Sequence, residues 1–144
     1  MNMDKHSFLS NGDVAAFEEL YQSYVADENS GGATSRLVNI STRAFVGSGD
    51  QRVIGGFVIS GSRPKEVLIL GIGASLGAAG VANALPDTML ELYSDGAKIS
   101  ENDNWQSAGN SSQVSALLPP GDASESAILI TLEPGAYTAI LSGA

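Results

Sequence analysis

The chain has 144 residues, no cysteine and a formal charge of -9, with a pI near 4.3. That length supports one domain whose core needs no staples, and the lack of cysteine excludes disulfides, thiolate chemistry and cysteine-ligated zinc. The acidity weighs against nucleic acid, because phosphates call for a concentrated basic surface, and no apolar run approaches the ~20 residues that span a bilayer.

Residues 1–12 are polar, end in Asn11-Gly12, and carry no apolar stretch behind Lys5, so no secretory signal is visible. Either the protein is intracellular or the chain does not include the true start of its gene product. Asp13 suits a helix N-cap. Behind it Val14, Phe17, Leu20 or Tyr21, and Tyr24 recur at three- and four-residue spacing, with Glu18, Glu19 and Gln22 on the other faces. The spacing predicts one short amphipathic helix over 13–26. A lone helix of that length is marginal in water, so its aromatic stripe must dock on a neighbour. DENSGGAT, residues 27–34, is a linker by composition. The expected division is therefore helix plus linker over 1–34 and a β domain over 35–144.

From Ser35 the period becomes two. In RLVNIST, Val38 and Ile40 face one way, Asn39 and Ser41 the other. RVIGGFVIS follows a turn at 47–50, and its Gly55-Gly56 pair suggests a bulge or a close backbone approach. EVLILGI is apolar on both faces and belongs in the middle of a sheet. MLELY is a strand with Leu90 and Leu92 inward, and Asp95-Gly96 is a two-residue hairpin turn leading to Ala97–Glu101. Gln113 to Leu118 reads as a short strand or a helical turn, and SAILITL as a buried strand. Glu133-Pro134-Gly135 suits a type II turn, and AYTAILSG closes the chain as an alternating strand. Seven or eight short strands with turn signals between them predict an all-β fold, an antiparallel β-sandwich of jelly-roll or Ig-like type.

One stretch admits a rival reading. VLIL followed by Gly71, Gly73 and Gly77 has the form strand, G-x-G-x-x-x-G, small-residue segment, and Glu91 lies where a ribose hydroxyl is held in NAD(P)-binding Rossmann-type oxidoreductases. In that reading the glycines let backbone amides approach a pyrophosphate. Against it, Gly77 and Gly80 cross the supposed helix, Pro86 ends it, and no second strand–helix unit follows. Glu91 also alternates with Leu90 and Leu92, as a solvent-facing strand residue does.

Catalytic groups are sparse. His6 is the only histidine and lies in the polar start, and no serine has an activating base in view. Asp95, Asn102, Asp103 and Asn104 form an oxygen-rich cluster near turns that could hold calcium, against the plainer reading of solvated turn residues. Trp105 beside them is a core plug or, alternatively, a sugar-stacking platform. Arg36, Arg43, Arg52, Arg63 and Lys65 make a basic island interrupted only by Asp50. A solvated face accounts for it, with an anionic partner as the alternative.

RLVNISTRAFVGSGDQRVIGGFVISG, PKEVLILGIGASLGAAGVANALPDTMLELYSDG, SENDNW and LEPGAYTAILSG together resemble a β-sandwich module common in secreted and surface proteins of environmental bacteria. Its pattern is RLxNxSTR, GFxISG, GPSL, ALxDPxLELYD, SNDNW and PGAYTAIVSG. The match runs from Arg36 to the chain end, with Gly71 in place of arginine and Ala74 and Thr88 in place of prolines. The second half is also similar to the bacterial prepeptidase C-terminal domain. The resemblance implies a non-catalytic module without a cofactor, extracellular or on the cell surface, alongside other domains of a larger secreted protein. It also implies a further strand beyond Ala144. A sheet lacking that strand is expected to self-associate by strand pairing through an open edge, or to take a donor strand from its own N-terminal segment.

Overall fold

The computed structural model describes residues 14–22, 40–47 and 50–144. The strands, in chain order, are β1 (Val14–Gln22), β2 (Ser41–Phe45), β3 (Val53–Ile59), β4 (Lys65–Ile72), β5 (Thr88–Ser94), β6 (Ala97–Asn102), β7 (Ser126–Leu132) and β8 (Gly135–Gly143). They form two four-stranded sheets, in the orders β2-β1-β4-β7 and β3-β8-β5-β6. Every strand pair is antiparallel. The one helix longer than a 3-10 turn among the described residues is α1, Ser111–Leu117, which resolves the ambiguous 113–118 segment.

The N-terminal expectation is corrected. Within the helix expected over 13–26, Val14–Gln22 is strand β1, paired with β2 on one side and β4 on the other. Residues 1–13 and 23–39, which hold the proposed cap Asp13, the linker and Arg36, lie outside the described residues. Helix spacing is a weak local preference, whereas β4 carries a full row of amides and carbonyls that need a neighbour on that side. The ladder outweighs the preference. Val14–Gln22 thus completes the ladder of β4 on that side.

Two backbone details narrow or change the expectation. Of the two readings of Gly55-Gly56, the bulge is excluded, because β3 pairs with β8 in unbroken register from Val53↔Leu141 to Ile59↔Gly135. Gly135 lacks the positive φ that a type II turn demands, and Pro134 leads directly into β8. The Asp95-Gly96 turn is as expected, with φ of 50 and 78, both in the left-handed region.

β4 accounts for the layering. Its inward residues Val67 and Ile69 join Ile128 of β7, Leu90 and Leu92 of β5, and Ala139 and Leu141 of β8 in one buried cluster shared by both sheets. Its other face, Leu68, Leu70 and Ile72, packs with Ala127 and Leu129 beneath Leu76, Val114 of α1 and Trp105. A strand covered on both sides must be apolar throughout, as LILGI is.

Tyr137 enters the shared core beside Leu132, stacks on Phe57 with ring centroids 5.5 Å apart, and donates its hydroxyl to Glu133 O at 2.8 Å. The ring fills volume while the hydroxyl ties β8 to the turn before it. Tyr137→Ala is expected to cost about 3 kcal/mol or more, and Tyr137→Phe about 1 kcal/mol. Urea denaturation of the two variants checks both the sizes and their order.

Candidate functional site

The glycine-rich passage after β4 is where the sequence leaves two readings open, and its amides are the groups that a pyrophosphate would need. Gly73 leads into a 3-10 turn, Ala74–Gly77, whose backbone N–H groups converge as they would around a phosphate. They converge on a carboxylate of the chain itself. Glu125 Oε1 accepts from Gly73 N at 2.9 Å, from Ser75 N at 2.9 Å and from Ser75 Oγ at 2.7 Å. Oε2 accepts from Asp122 N at 3.0 Å. Glu125 is fully buried, with a relative exposure of 0%. An internal anion occupies the cradle.

The glycines themselves answer to packing. A side chain at Gly71 would overlap Ser126 Oγ and come within 2.6 Å of Leu141 Cδ1. One at Gly73 would overlap Leu85 O and come within 2.7 Å of Thr88 Cγ2. Gly77 has nothing within 4 Å. Two of the motif glycines are there for contacts between chain segments, and the third is unconstrained by space.

Next to this cradle lies a buried polar seam. Thr88 Oγ1 donates to Gly71 O at 2.8 Å and accepts from Ser126 N at 2.9 Å, with Ser126 Oγ at 3.0 Å. Thr88 and Ser126 are both at 0% exposure, and with Ser126 Oγ donating, the threonine hydroxyl has its one donor and two acceptor sites filled. The seam joins β4, β5 and β7 across the two sheets. Glu125 and Ser126 are adjacent, so cradle and seam form one construction.

Glu91 has partners of its own on the second sheet. It lies on β5 opposite Glu101, and Lys98 Nζ bridges the two carboxylates, reaching Glu91 Oε1 at 3.0 Å. The hydrogen bond to Glu101 and then that to Glu91 raise the Lys98 ammonium above its ordinary value. Tyr93 Oη also lies 3.3 Å from Glu91 Oε1. The acid serves a surface ion-pair cluster.

Of the oxygen-rich group, three members gather and one does not. Asp95 sits at the hairpin tip, at the other end of β6 from Asn102. Five steps of strand separate the ends, roughly 17 Å. Asn102 Oδ1 accepts from Ala127 N at 2.9 Å, and its Nδ2 donates to Asn104 O at 3.1 Å. Asn104 Nδ2 donates to Asp103 Oδ2 at 3.0 Å, while Asp103 Oδ1 is buried without a partner among the described residues. No group of three acidic, histidine or cysteine side chains with metal-binding geometry occurs among the described residues. A groove of about 430 Å³ runs between Ser100–Asp103 and β7.

Trp105 packs over the outer cluster of the first sheet. Its Nε1 donates to Asp122 O at 3.1 Å and its backbone N to Glu125 O at 2.9 Å. Ser124 donates twice to Asp122 Oδ1, through Oγ and N, and this holds the Asp122 carboxyl below the usual range. Such a contribution is present at neutral pH and lost as pH falls through the folded-state value. These bonds brace the turn over residues 122–126 that carries Glu125.

Sequence reasoning singled out the glycines and passed over Glu125, Thr88 and Ser126. The available signal was an acid directly before a buried strand, SESAILITL, whose only means of burial is to find donors. No protein-family model, no curated protein and no solved structure matches the chain.

Two predictions separate a structural loop from a ligand cradle. Glu125→Ala leaves the Gly73, Ser75 and Asp122 amides without acceptors and is expected to destabilise by at least about 3 kcal/mol, at 1–3 kcal/mol per orphaned group; chemical denaturation reads it. Gly71→Ala is expected to cost about 1–3 kcal/mol through overpacking, whereas Gly77→Ala leaves the melting temperature unchanged or slightly raised. Equal losses at both glycines would contradict the packing account.

Proposed function

We propose that this chain is a non-catalytic β-sandwich module of jelly-roll type, carried by a secreted or cell-surface bacterial protein and serving attachment, spacing or surface binding beside other domains. The observation that carries the reading is the engagement of Gly73 N and Ser75 N by Glu125. A dinucleotide site would need those amides for pyrophosphate, and a second anion beside a buried carboxylate is repelled. The cluster shared by the two sheets supports the sandwich. The motifs from Arg36 onward support the setting by resemblance.

The alternative, an NAD(P)-binding oxidoreductase fragment, rested on Gly71, Gly73, Gly77 and Glu91. Packing contacts at Gly71 and Gly73 and the Lys98 bridge at Glu91 give each constrained member another role. Calorimetric titration of the chain with NAD and with NADP is expected to give dilution heats alone, and saturable binding of either overturns the reading. A fluorescent fusion of the chain, mixed with intact bacterial cells or isolated envelope polysaccharide, is expected to sediment with one of them. Recovery entirely in the supernatant would leave spacing between domains as the role.

A further inference from the structure

Among the described residues, four strands border the two sheets, and three of them have features that discourage a further neighbour. On β7, Ala127 N is engaged by Asn102 Oδ1 and Leu129 O by Asn110 Nδ2. β6 carries Lys98 and Glu101 and a register shift at Leu92/Tyr93. β2 is five residues long and bears Arg43. β3 is the exception.

β3 is seven residues long, lies at the end of its sheet in unbroken register, and has no charged residue between Arg52 and Arg63. Its outward side chains Ile54 and Val58 are 67% and 68% exposed, the two most exposed large hydrophobics among the described residues. Beside them on β8 lie Ile140 and Ala136, which extend the apolar face. An aliphatic edge of this kind needs an occupant.

We infer that the occupant is a second copy of this chain, joined β3 to β3 about a two-fold axis through Gly56. The sequence V-I-G-G-F-V-I is complementary to itself when reversed about that glycine. Antiparallel pairing sets Ile54 opposite the partner's Val58 on the outer face, and Val53 opposite the partner's Ile59 on the inner face. Phe57 faces the partner's Gly55, so the ring covers the glycine. Like charges are kept apart, since Arg52 meets the partner's Ser60 and Asp50 the partner's Ser62. A one-residue slip would lose every one of these matches. The two-fold contact is isologous and closes at two copies, making one continuous eight-stranded sheet from two four-stranded ones. The inference is independent of the module reading, because it uses strand order, the exposure of Ile54 and Val58, and the β3 sequence.

The test is analytical ultracentrifugation of the full chain from micromolar to millimolar concentration, with melting temperatures recorded alongside. A concentration-dependent dimer is expected. Val58→Lys and Ile54→Glu, both at exposed positions, should each weaken it by about tenfold or more with the melting temperature of the dilute monomer unchanged. Combining Ile54→Glu with Val58→Lys sets acid against base across the axis and should restore the dimer. A monomer at all concentrations overturns the inference, as does a dimer insensitive to Val58→Lys. Loss in both single variants without recovery in the double variant overturns the two-fold register.

Discussion

The fold depends on where it buries one negative charge. A carboxylate removed from water without a cation costs several kcal/mol unless donors surround it, and Glu125 has Gly73 N, Ser75 N, Ser75 Oγ and Asp122 N. Charge-assisted bonds to fixed amides are among the stronger ones a protein makes. Their effect is positional. With Glu125 held, Ser126 starts β7 in line with Gly71, and Thr88 can reach both. The sheet-to-sheet spacing at this end follows from the absence of side chains at Gly71 and Gly73.

Much of the architecture was legible. β4 declared itself by being apolar on both faces, β5 and β6 by Asp95-Gly96, and β7 and β8 by runs that fall within a residue of their observed bounds. These are local signals with local causes. β1 was misread because its spacing suits a helix in isolation, while its partner β4 is some fifty residues away in sequence. Gly135 was misread because Pro-Gly favours a type II turn only when nothing downstream draws the backbone straight into a strand.

The glycine loop shows why a site is harder to read than a strand. G-x-G announces only that a backbone approaches something closely. Here the approach is to Ser126, Leu141, Leu85 and Thr88, and the exposed amides meet Glu125. A phosphate cradle and an internal carboxylate cradle call for the same residues on the loop side. They differ in a single acid more than fifty positions later, in a segment whose composition is that of an ordinary surface turn. Trp105 behaves similarly: its indole closes the outer cluster and bonds to Asp122 O, a role that spacing could not distinguish from a platform.

The strand order also has a consequence for synthesis. Among the described residues, β5 with β6 is a tight hairpin, while β4 waits for β7, and β3 has no sheet partner except β8. Gly73 and Glu125 are separated by 52 positions, Thr88 and Ser126 by 38. Contacts of such range are slow to form. On the ribosome, the apolar stretch Val67–Ile72 therefore waits for Ser126–Leu132 to cover its edge, and the second sheet stays open longer still, until Gly135–Gly143 has emerged. The chain acquires its shape late, one sheet after the other.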